Sequence, residues 1–208
     1  MAKKRAKTFD EKQFQKLLKH VTENSPMPVR DRLIVALSFK AGLRVGEIAK
    51  IKIAAMLTTT GTIAKDINIF SDVGKGRRER TVPMNGLVKE CLQAFRKAYP
   101  SADVVAISAQ PWRWKLERGE AIPAHAAHKA MSPTALRAYY NRLIQSGGFE
   151  GASTHSGRRT FGTTLARSAN HHHCSLRDVQ RLMGHASIET TEQYIEVSDD
   201  ARSLVGAL

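Results

Sequence analysis

Apolar residues recur at helical spacing along most of this chain, and that period constrains its fold more than any other feature. Near the N-terminus, four of them share one helical face: Phe14, Leu17, Leu18 and Val21. Thr8 and Glu11, three residues apart, have the spacing of a capping box just before this face. We therefore predict a first helix over about residues 9–21. A chain dominated by such segments buries its apolar faces by packing helix against helix.

The same period continues towards the C-terminus. It predicts further helices over about residues 29–41, 45–51, 156–169, 175–183 and 187–197. Gly42 is a stop signal after the second helix. Asn85 and Ser132 are capping residues ahead of two more helices, and Pro133 suits the first position of the second of these.

One stretch departs from the helical period. Residues 62–70 and 80–84 alternate apolar and polar positions around a glycine-containing turn, which predicts a β-hairpin with a basic tip. Residues 103–108 are predicted as a short strand or extended segment. The expected fold class is therefore mainly α with a small antiparallel β-sheet (α+β), in a single domain.

The charge balance indicates the class of molecule that this protein binds. Lys and Arg number 33 against 19 Asp and Glu, giving a net charge of +14 and a pI near 10.1. Such an excess attracts polyanions, of which nucleic acid is the commonest, although charge alone separates neither DNA from RNA nor binding from catalysis. No apolar run is long enough to cross a bilayer, and the two cysteines do not suggest a disulfide framework. We expect a cytoplasmic protein with no membrane partner.

Four separated stretches combine residues that suit phosphate chemistry. They are Gly42-Leu43-Arg44-Val45-Gly46-Glu47, Gly74-Lys75-Gly76, Thr154-His155-Ser156-Gly157-Arg158, and Gly184-His185 followed nine residues later by Tyr194. Arginine forks bind phosphate oxygens in a bidentate way and stay protonated. A histidine at a helix start adds a further donor beside the helix dipole.

In this order and with this final spacing, the stretches resemble the tyrosine recombinase family, which includes phage integrases. The resemblance implies that family's catalytic-domain fold over residues 8–197, and it is closest to short, single-domain members. Residues 1–7 would form a basic tail. Residues 198–208 would form a C-terminal tail that neighbouring subunits exchange.

The resemblance also implies a role for each residue. Arg44, Arg158, His155 and His185 would hold the phosphate, and Glu47 would orient Arg44. The Tyr194 hydroxyl would attack to form a 3′-phosphotyrosyl intermediate, with Lys75 protonating the leaving 5′-oxygen as general acid. The covalent link conserves the phosphodiester energy, so no ATP, metal or other cofactor is expected.

Taken one at a time, these residues have simpler interpretations. Arg44 alone would be a partner for Glu47, Lys75 a solvated turn lysine, and Tyr194 a core residue like the other tyrosines. The choice of Lys75 over the neighbouring arginines rests on the family's Gly-Lys-Gly position. The ordered set favours the catalytic interpretation, since unrelated explanations would all have to coincide.

Other residues are assigned less directly. Candidate DNA contacts are Lys3, Lys4, Arg5, Arg77, Arg78, Arg80 and Arg159.

Gly157 replaces the apolar residue usual in the family, which predicts a looser first helical turn. His171-His172-His173-Cys174 resembles a metal site only superficially, because adjacent histidines do not easily converge on one ion.

The expected partner is double-stranded DNA, bound by a homotetramer on two DNA sites, with accessory DNA-bending proteins. Two alternatives stay open. A non-catalytic DNA-binding regulator would use residues 175–197 as a helix-turn-helix. An enzyme like the type IB topoisomerases would relax supercoils without sequence preference. The family resemblance indicates that the protein is encoded by a bacterium or a phage.

Overall fold

In a computed structural model, residues 6–70, 72, 79–120, 128–169 and 174–192 are described. The fold is mainly helical with one small antiparallel sheet, as the sequence predicts. The chain divides into two compact units, residues 1–161 and 162–208, so the single domain predicted over residues 8–197 spans both. The boundary falls within one helix.

Helices make up most of the first unit. They are α1 (Glu11–Asn24), α2 (Pro28–Lys40), α3 (Val45–Lys50), α4 (Gly86–Ala98), α5 (Arg113–Leu116), α6 (Pro133–Ser146) and the start of α7 (Ser156–Ser168). Two short 3₁₀-helices cover Ile53–Met56 and Gln110–Trp112. The second unit contains the rest of α7, then α8 (Leu176–Met183) and α9 (Ile188–Glu192).

The first helix begins two residues later than predicted, at Glu11 instead of residue 9. Asp10, not Thr8, is the N-cap: its Oδ1 accepts a hydrogen bond from the Gln13 backbone N–H at 2.7 Å. The Asp10 backbone N–H in turn donates to Gln13 Oε1 at 3.2 Å. The capping box was therefore predicted correctly in kind but placed on the wrong pair.

The predicted hairpin is present with shorter strands, β1 (Asp66–Ile69) and β2 (Arg80–Pro83). They pair antiparallel, with Ile67 opposite Val82, and both side chains are buried. The predicted basic tip, residues 71–78, lies outside the described residues except for position 72.

Residues 103–108 form isolated bridges rather than a regular strand. Val104 pairs with Lys52, and Ile107 pairs with Ala130. Each bridge joins segments distant in sequence, so this stretch ties the 3₁₀ region after α3 to the segment before α6.

A buried ion pair fixes the middle of the first unit. Arg30 and Asp31 of α2 are almost fully buried, with Nε to Oδ1 at 2.7 Å. Arg30 Nη1 also donates to the Ile107 carbonyl at 2.8 Å, and the Tyr139 hydroxyl donates to Asp31. Burial, and then the Asp31 charge, raise the pKa of Tyr139 to about 12, so the phenol stays a donor. The network joins α2 to α6 without leaving the carboxylate uncompensated.

Among the described residues, no helix combines the length and apolar character that crossing a membrane requires.

Candidate active site

The turn before α3 places the first predicted arginine. Gly42 has a φ of +64°, a conformation that favours glycine, and it reverses the chain after α2. Arg44 is the N-cap of α3, and its backbone N–H donates to Glu47 Oε2 at 2.7 Å. Glu47 stands at the third helical position, where a carboxylate also suits the helix dipole. The Gly-Leu-Arg-x-x-Glu pattern is thus a turn that fixes Arg44 at a helix start.

The Glu47 carboxylate is shared by two guanidinium groups. Arg44 Nη1 donates to Oε1 at 2.9 Å. Arg80 of β2 donates through Nη1 to Oε1 and through Nη2 to Oε2, both at 2.8 Å. Burial raises the pKa of Glu47, but hydrogen bonds and charge from Arg80, and then from Arg44, outweigh it and hold the pKa at about 2. The carboxylate is therefore ionised at any working pH.

The two arginines differ in what they leave accessible. The Arg44 side chain is 26% exposed, while the Arg80 side chain is only 6% exposed. Sequence analysis places Arg80 among the DNA contacts, and the structure instead turns it inward onto Glu47. Its position five residues after Lys75 does not reveal this, because only tertiary packing brings β2 against α3.

The start of α7 places the second predicted arginine. The Ser153 N–H donates to Ser156 Oγ at 3.0 Å, and the His155 N–H donates to Ser153 Oγ at 3.3 Å. His155 thus directly precedes the helix, and Arg158 lies in its first turn. Arg158 is buried, and its Nη1 donates to the Gly42 carbonyl at 2.6 Å. This bond joins the two arginine-bearing segments, since Gly42 stands two residues before Arg44.

Gly157 has a packing role that the prediction of a looser first turn did not include. A Cβ at this position would overlap Ser38 Oγ and approach the Phe39 ring to 2.7 Å, both on α2. The absence of a side chain lets α7 lie directly against α2. The glycine therefore tightens the approach of the helix that carries Arg158.

Positive charge converges on His155. Partial desolvation, followed by the charges of Arg137, Arg158 and Arg44, holds the pKa of His155 below its ordinary value of 6.5, although the residue keeps a solvent-facing surface. The imidazole is therefore neutral at pH 7 and offers one ring N–H as a donor. Sequence analysis missed Arg137 of α6, because it resembles any other exposed helical arginine.

His185 belongs to the second unit. It follows Gly184, which ends α8 in the left-handed conformation with φ +62°. The ring is buried, with Nδ1 2.9 Å from Thr191 Oγ1 of α9, and the Gln180 side chain donates to its carbonyl at 3.2 Å. One ring nitrogen is thus committed to a fixed partner, which holds the orientation of the imidazole.

The remaining predicted site residues divide into two groups. Arg159 is described, and its Nη1 donates to the Ala6 carbonyl at 2.8 Å. The others lie outside the described residues: Lys3, Lys4, Arg5, Lys75, Arg77, Arg78 and Tyr194. Their assignments stay predictions.

Within the described ranges, no cluster of histidine, cysteine and carboxylate side chains has the arrangement of a metal site. Residues 171–173 of the His-Cys stretch lie outside those ranges, and Cys174 is an exposed cysteine.

The described geometry gathers Arg44, Glu47, Arg80, His155 and Arg158 in the first unit, on the motifs that carry the resemblance. A family model described as the phage integrase family matches residues 7–201. The chain belongs to the phage integrase family. The predicted membership is confirmed.

Relatives of this integrase-family chain carry the name tyrosine recombinase XerC. The protein from Vibrio cholerae serotype O1 (strain M66-2) is 30% identical over 192 residues, covering 90% of this chain and 53% of that protein. The Leptospira interrogans protein (serovar Lai, strain 56601) is 26% identical over 201 residues, covering 93% and 56%. The chain spans about half the length of the curated relatives it matches.

Solved structures support the fold assignment. The Tn1549 transposon integrase in complex with circular intermediate DNA matches with a TM-score of 0.69 at 17% identity, covering 99% of this chain and 68% of that one. The XerH recombinase bound to its difH substrate matches with a TM-score of 0.62 at 22% identity, covering 100% and 55%. The predicted tyrosine recombinase catalytic-domain fold is confirmed.

Proposed function

We propose that this chain is a site-specific DNA recombinase or integrase, which cleaves and rejoins double-stranded DNA through a covalent bond to Tyr194. The observation that carries the proposal is the convergence of Arg44, Arg158 and His155 in one unit. Arg158 is bonded to the turn that presents Arg44, and both charges act on His155. A group of neighbouring cationic and neutral donors is the arrangement that stabilises the charge developed in phosphoryl transfer.

The chemistry follows from the charge of the transition state. Attack on a phosphodiester places extra negative charge on the non-bridging oxygens of the phosphorus. Arg44 and Arg158 would neutralise this charge, and the neutral His155 would donate a further hydrogen bond. Because these donors are fixed before DNA binds, little reorganisation is needed during the reaction.

The remaining steps fall to the predicted residues. The Tyr194 hydroxyl would release its proton to solvent as its oxygen attacks the phosphorus, forming a 3′-phosphotyrosyl bond while the bond to the 5′-oxygen breaks. Lys75 would give that oxygen its proton, and His185 would add a hydrogen bond to the phosphate. A 5′-hydroxyl from a second duplex would then attack the phosphotyrosine and release Tyr194. The phosphodiester energy is conserved throughout, so the exchange needs neither ATP nor a metal.

Two of the similar structures support DNA as the partner, since the Tn1549 integrase is in complex with circular intermediate DNA and the XerH recombinase is bound to its difH substrate. The finer assembly is part of the same proposal: a homotetramer on two DNA sites, with exchange of residues 198–208 and help from accessory DNA-bending proteins. Such an enzyme of bacterial or phage origin would act in the cytoplasm.

A covalent-trapping experiment tests the proposal. The chain is incubated with a pool of randomised duplexes that carry one nick each, so that the short cleaved fragment diffuses away and the adduct accumulates. We expect a protein–DNA band that resists SDS in the wild type and is missing in Tyr194→Phe. Sequencing the trapped duplexes should reveal one preferred site.

The same assay separates the alternatives. A regulator would retard the duplexes without forming an adduct, and a topoisomerase-like enzyme would form adducts without sequence preference while relaxing supercoiled plasmid. Either result would overturn the proposal.

A further inference from the structure

The Glu47 carboxylate is held more extensively by the inner arginine than by the outer one. Arg80 places a fork across both oxygens at 2.8 Å, whereas the Arg44 side chain gives a single bond at 2.9 Å. Arg80 is almost wholly buried, and Arg44 keeps a quarter of its side chain exposed. The two guanidinium groups therefore have different tasks on the same carboxylate.

We propose that Arg80 is a positioning residue for DNA cleavage, which clamps Glu47 so that Glu47 in turn aims Arg44 at the scissile phosphate. This inference rests on the proposed function for its catalytic consequence. Arg80 itself would not touch the DNA, since its side chain is turned into the protein.

The hydrogen-bond geometry supports this division. A guanidinium has five N–H donors, and among the described contacts the Arg44 side chain gives one of them to Glu47. The exposed remainder is available for a phosphate. The Glu47 oxygens, by contrast, are filled by Arg80 and by the Arg44 side chain and backbone N–H. A carboxylate held on both oxygens cannot rotate, so it fixes the direction of the Arg44 fork.

The electrostatics point the same way. A buried carboxylate is stable only when its charge is well compensated and its oxygens are filled. Arg80 from β2 and Arg44 from its own turn are the cations that act on Glu47. Lys50, one turn further along α3, is directed to the Asp72 carbonyl, and His155 is neutral beside Arg44. Without Arg80, burial would raise the pKa of Glu47 above its wild-type value, so the carboxyl would lose its ionisation at a higher pH.

Losing that ionisation would release Arg44. A protonated carboxyl has one O–H donor and weaker acceptors, so the Arg44 side chain would lose a charge-assisted bond. A misplacement of about 1 Å in a catalytic group can reduce the rate by about 10²-fold.

The first test needs no DNA. Carbon-13 NMR of the Glu47 carboxyl follows its titration in the wild type, in Arg80→Gln, and in the exposed-arginine control Arg96→Gln on α4. We expect no titration between pH 4 and pH 7 in the wild type and the control. In Arg80→Gln we expect a titration within that range, together with faster exchange of the Arg44 Nε–H. Wild-type behaviour of Glu47 in folded Arg80→Gln would overturn the proposal.

The second test uses the trapped-adduct rate with the nicked duplex pool, measured at several pH values. We expect Arg80→Gln to lose about 10²-fold, with an acidic limb shifted to higher pH, and Arg80→Lys to recover part of the loss. Adding Arg80→Gln to Glu47→Gln should cost little more, because Arg80 acts through Glu47. Fully additive losses, or an unchanged rate in Arg80→Gln, would contradict the inference.

These measurements keep the two proposals apart. If the wild type forms no adduct, the proposed function fails, while the NMR titration still decides whether Arg80 controls Glu47. Thermal unfolding checks each variant. If Arg80→Gln does not fold, Arg80→Lys replaces it: loss of the fork should speed exchange of the Arg44 Nε–H and slow adduct formation, and wild-type values of both would overturn the proposal.

Discussion

The two arginines of this site are held by opposite means. Arg44, at the turn before α3, is anchored by charge, through a carboxylate that it shares with Arg80. Arg158, in the first turn of α7, is buried and donates to a neutral backbone carbonyl, that of Gly42. Among the described contacts, the first anchor is an ion pair and the second is a buried bond to a neutral acceptor, although both present the same guanidinium chemistry.

This difference shows how a fold can fix two like charges near each other. A second carboxylate at the start of α7 would cancel part of the site's positive charge and weaken its attraction for phosphate. The bond to the Gly42 carbonyl holds Arg158 through a neutral acceptor, which does not itself cancel the guanidinium charge. The two anchors should therefore fail under different perturbations.

The largest expected effect comes from replacing each arginine by lysine. Lysine keeps the charge but loses the bidentate fork, so Arg44→Lys and Arg158→Lys should each slow adduct formation by about 10²–10³-fold. The two should differ in stability. Arg158→Lys should lower the thermal midpoint more, because it disturbs a buried contact, whereas in Arg44→Lys the carboxylate keeps Arg80 as a partner. Equal thermal midpoints for Arg44→Lys and Arg158→Lys would show that the two arginines are not held by different means.

The second-largest expected effect is a loss of stability in acid, which should arise from the Glu47 region at a lower pH than from the start of α7. The folded pKa of Glu47, about 2, lies below its ordinary 4.5. Its stabilisation is therefore fully present above about pH 4.5 and lost as the pH falls towards 2. A shift of this size corresponds to about 3 kcal/mol of unfolding free energy. Urea unfolding at successive pH values measures it, and Glu47→Gln should lack this component.

The stability contributed by the start of α7 should change in a different pH range. The folded pKa of His155 lies below its ordinary 6.5, so the unfolded chain takes up the proton first. Stability should then begin to fall as the pH drops below 6.5, and His155→Gln should remove this early loss. If both substitutions altered the same pH window, the two regions would not be independently anchored.

The smallest effect contrasts two helical glycines. A Cβ at Gly157 would meet Ser38 and Phe39, while a Cβ at Gly46 of α3 would meet nothing within 4 Å. Gly157→Ala should destabilise the protein by about 1–3 kcal/mol through overpacking. Gly46→Ala should stabilise it by up to about 1 kcal/mol through helix propensity. Denaturant unfolding compares them, and equal effects would show that packing does not hold the Arg158 helix.

Local signals in the sequence predicted much of the fold. The period of apolar residues located the major helices, and Asn85 and Ser132 cap α4 and α6 as expected. Local chemistry also explains why the cap of α1 was predicted two residues too early. Thr8 and Asp10 are both good caps, and the sequence does not state which one the helix selects.

Long-range geometry was not predictable in the same way. Residues 103–108 pair with segments far along the chain, so their isolated bridges depend on the assembled fold. The same applies to the site. Family resemblance located Arg44, Glu47, His155 and Arg158, but the inward turn of Arg80, the charge of Arg137 on His155 and the close packing at Gly157 arise only when distant elements meet.

The most direct test of the central claim is to find the atom that DNA becomes attached to. A trapped adduct is treated with nuclease, digested with trypsin and analysed by mass spectrometry. Cleavage after Arg181 and Arg202 yields a peptide in which Tyr194 is the sole tyrosine. We predict that this peptide carries a nucleotide joined through its 3′-phosphate to Tyr194. A nucleotide on any other residue, or unmodified Tyr194 in a sample that has cleaved its DNA, would contradict the account.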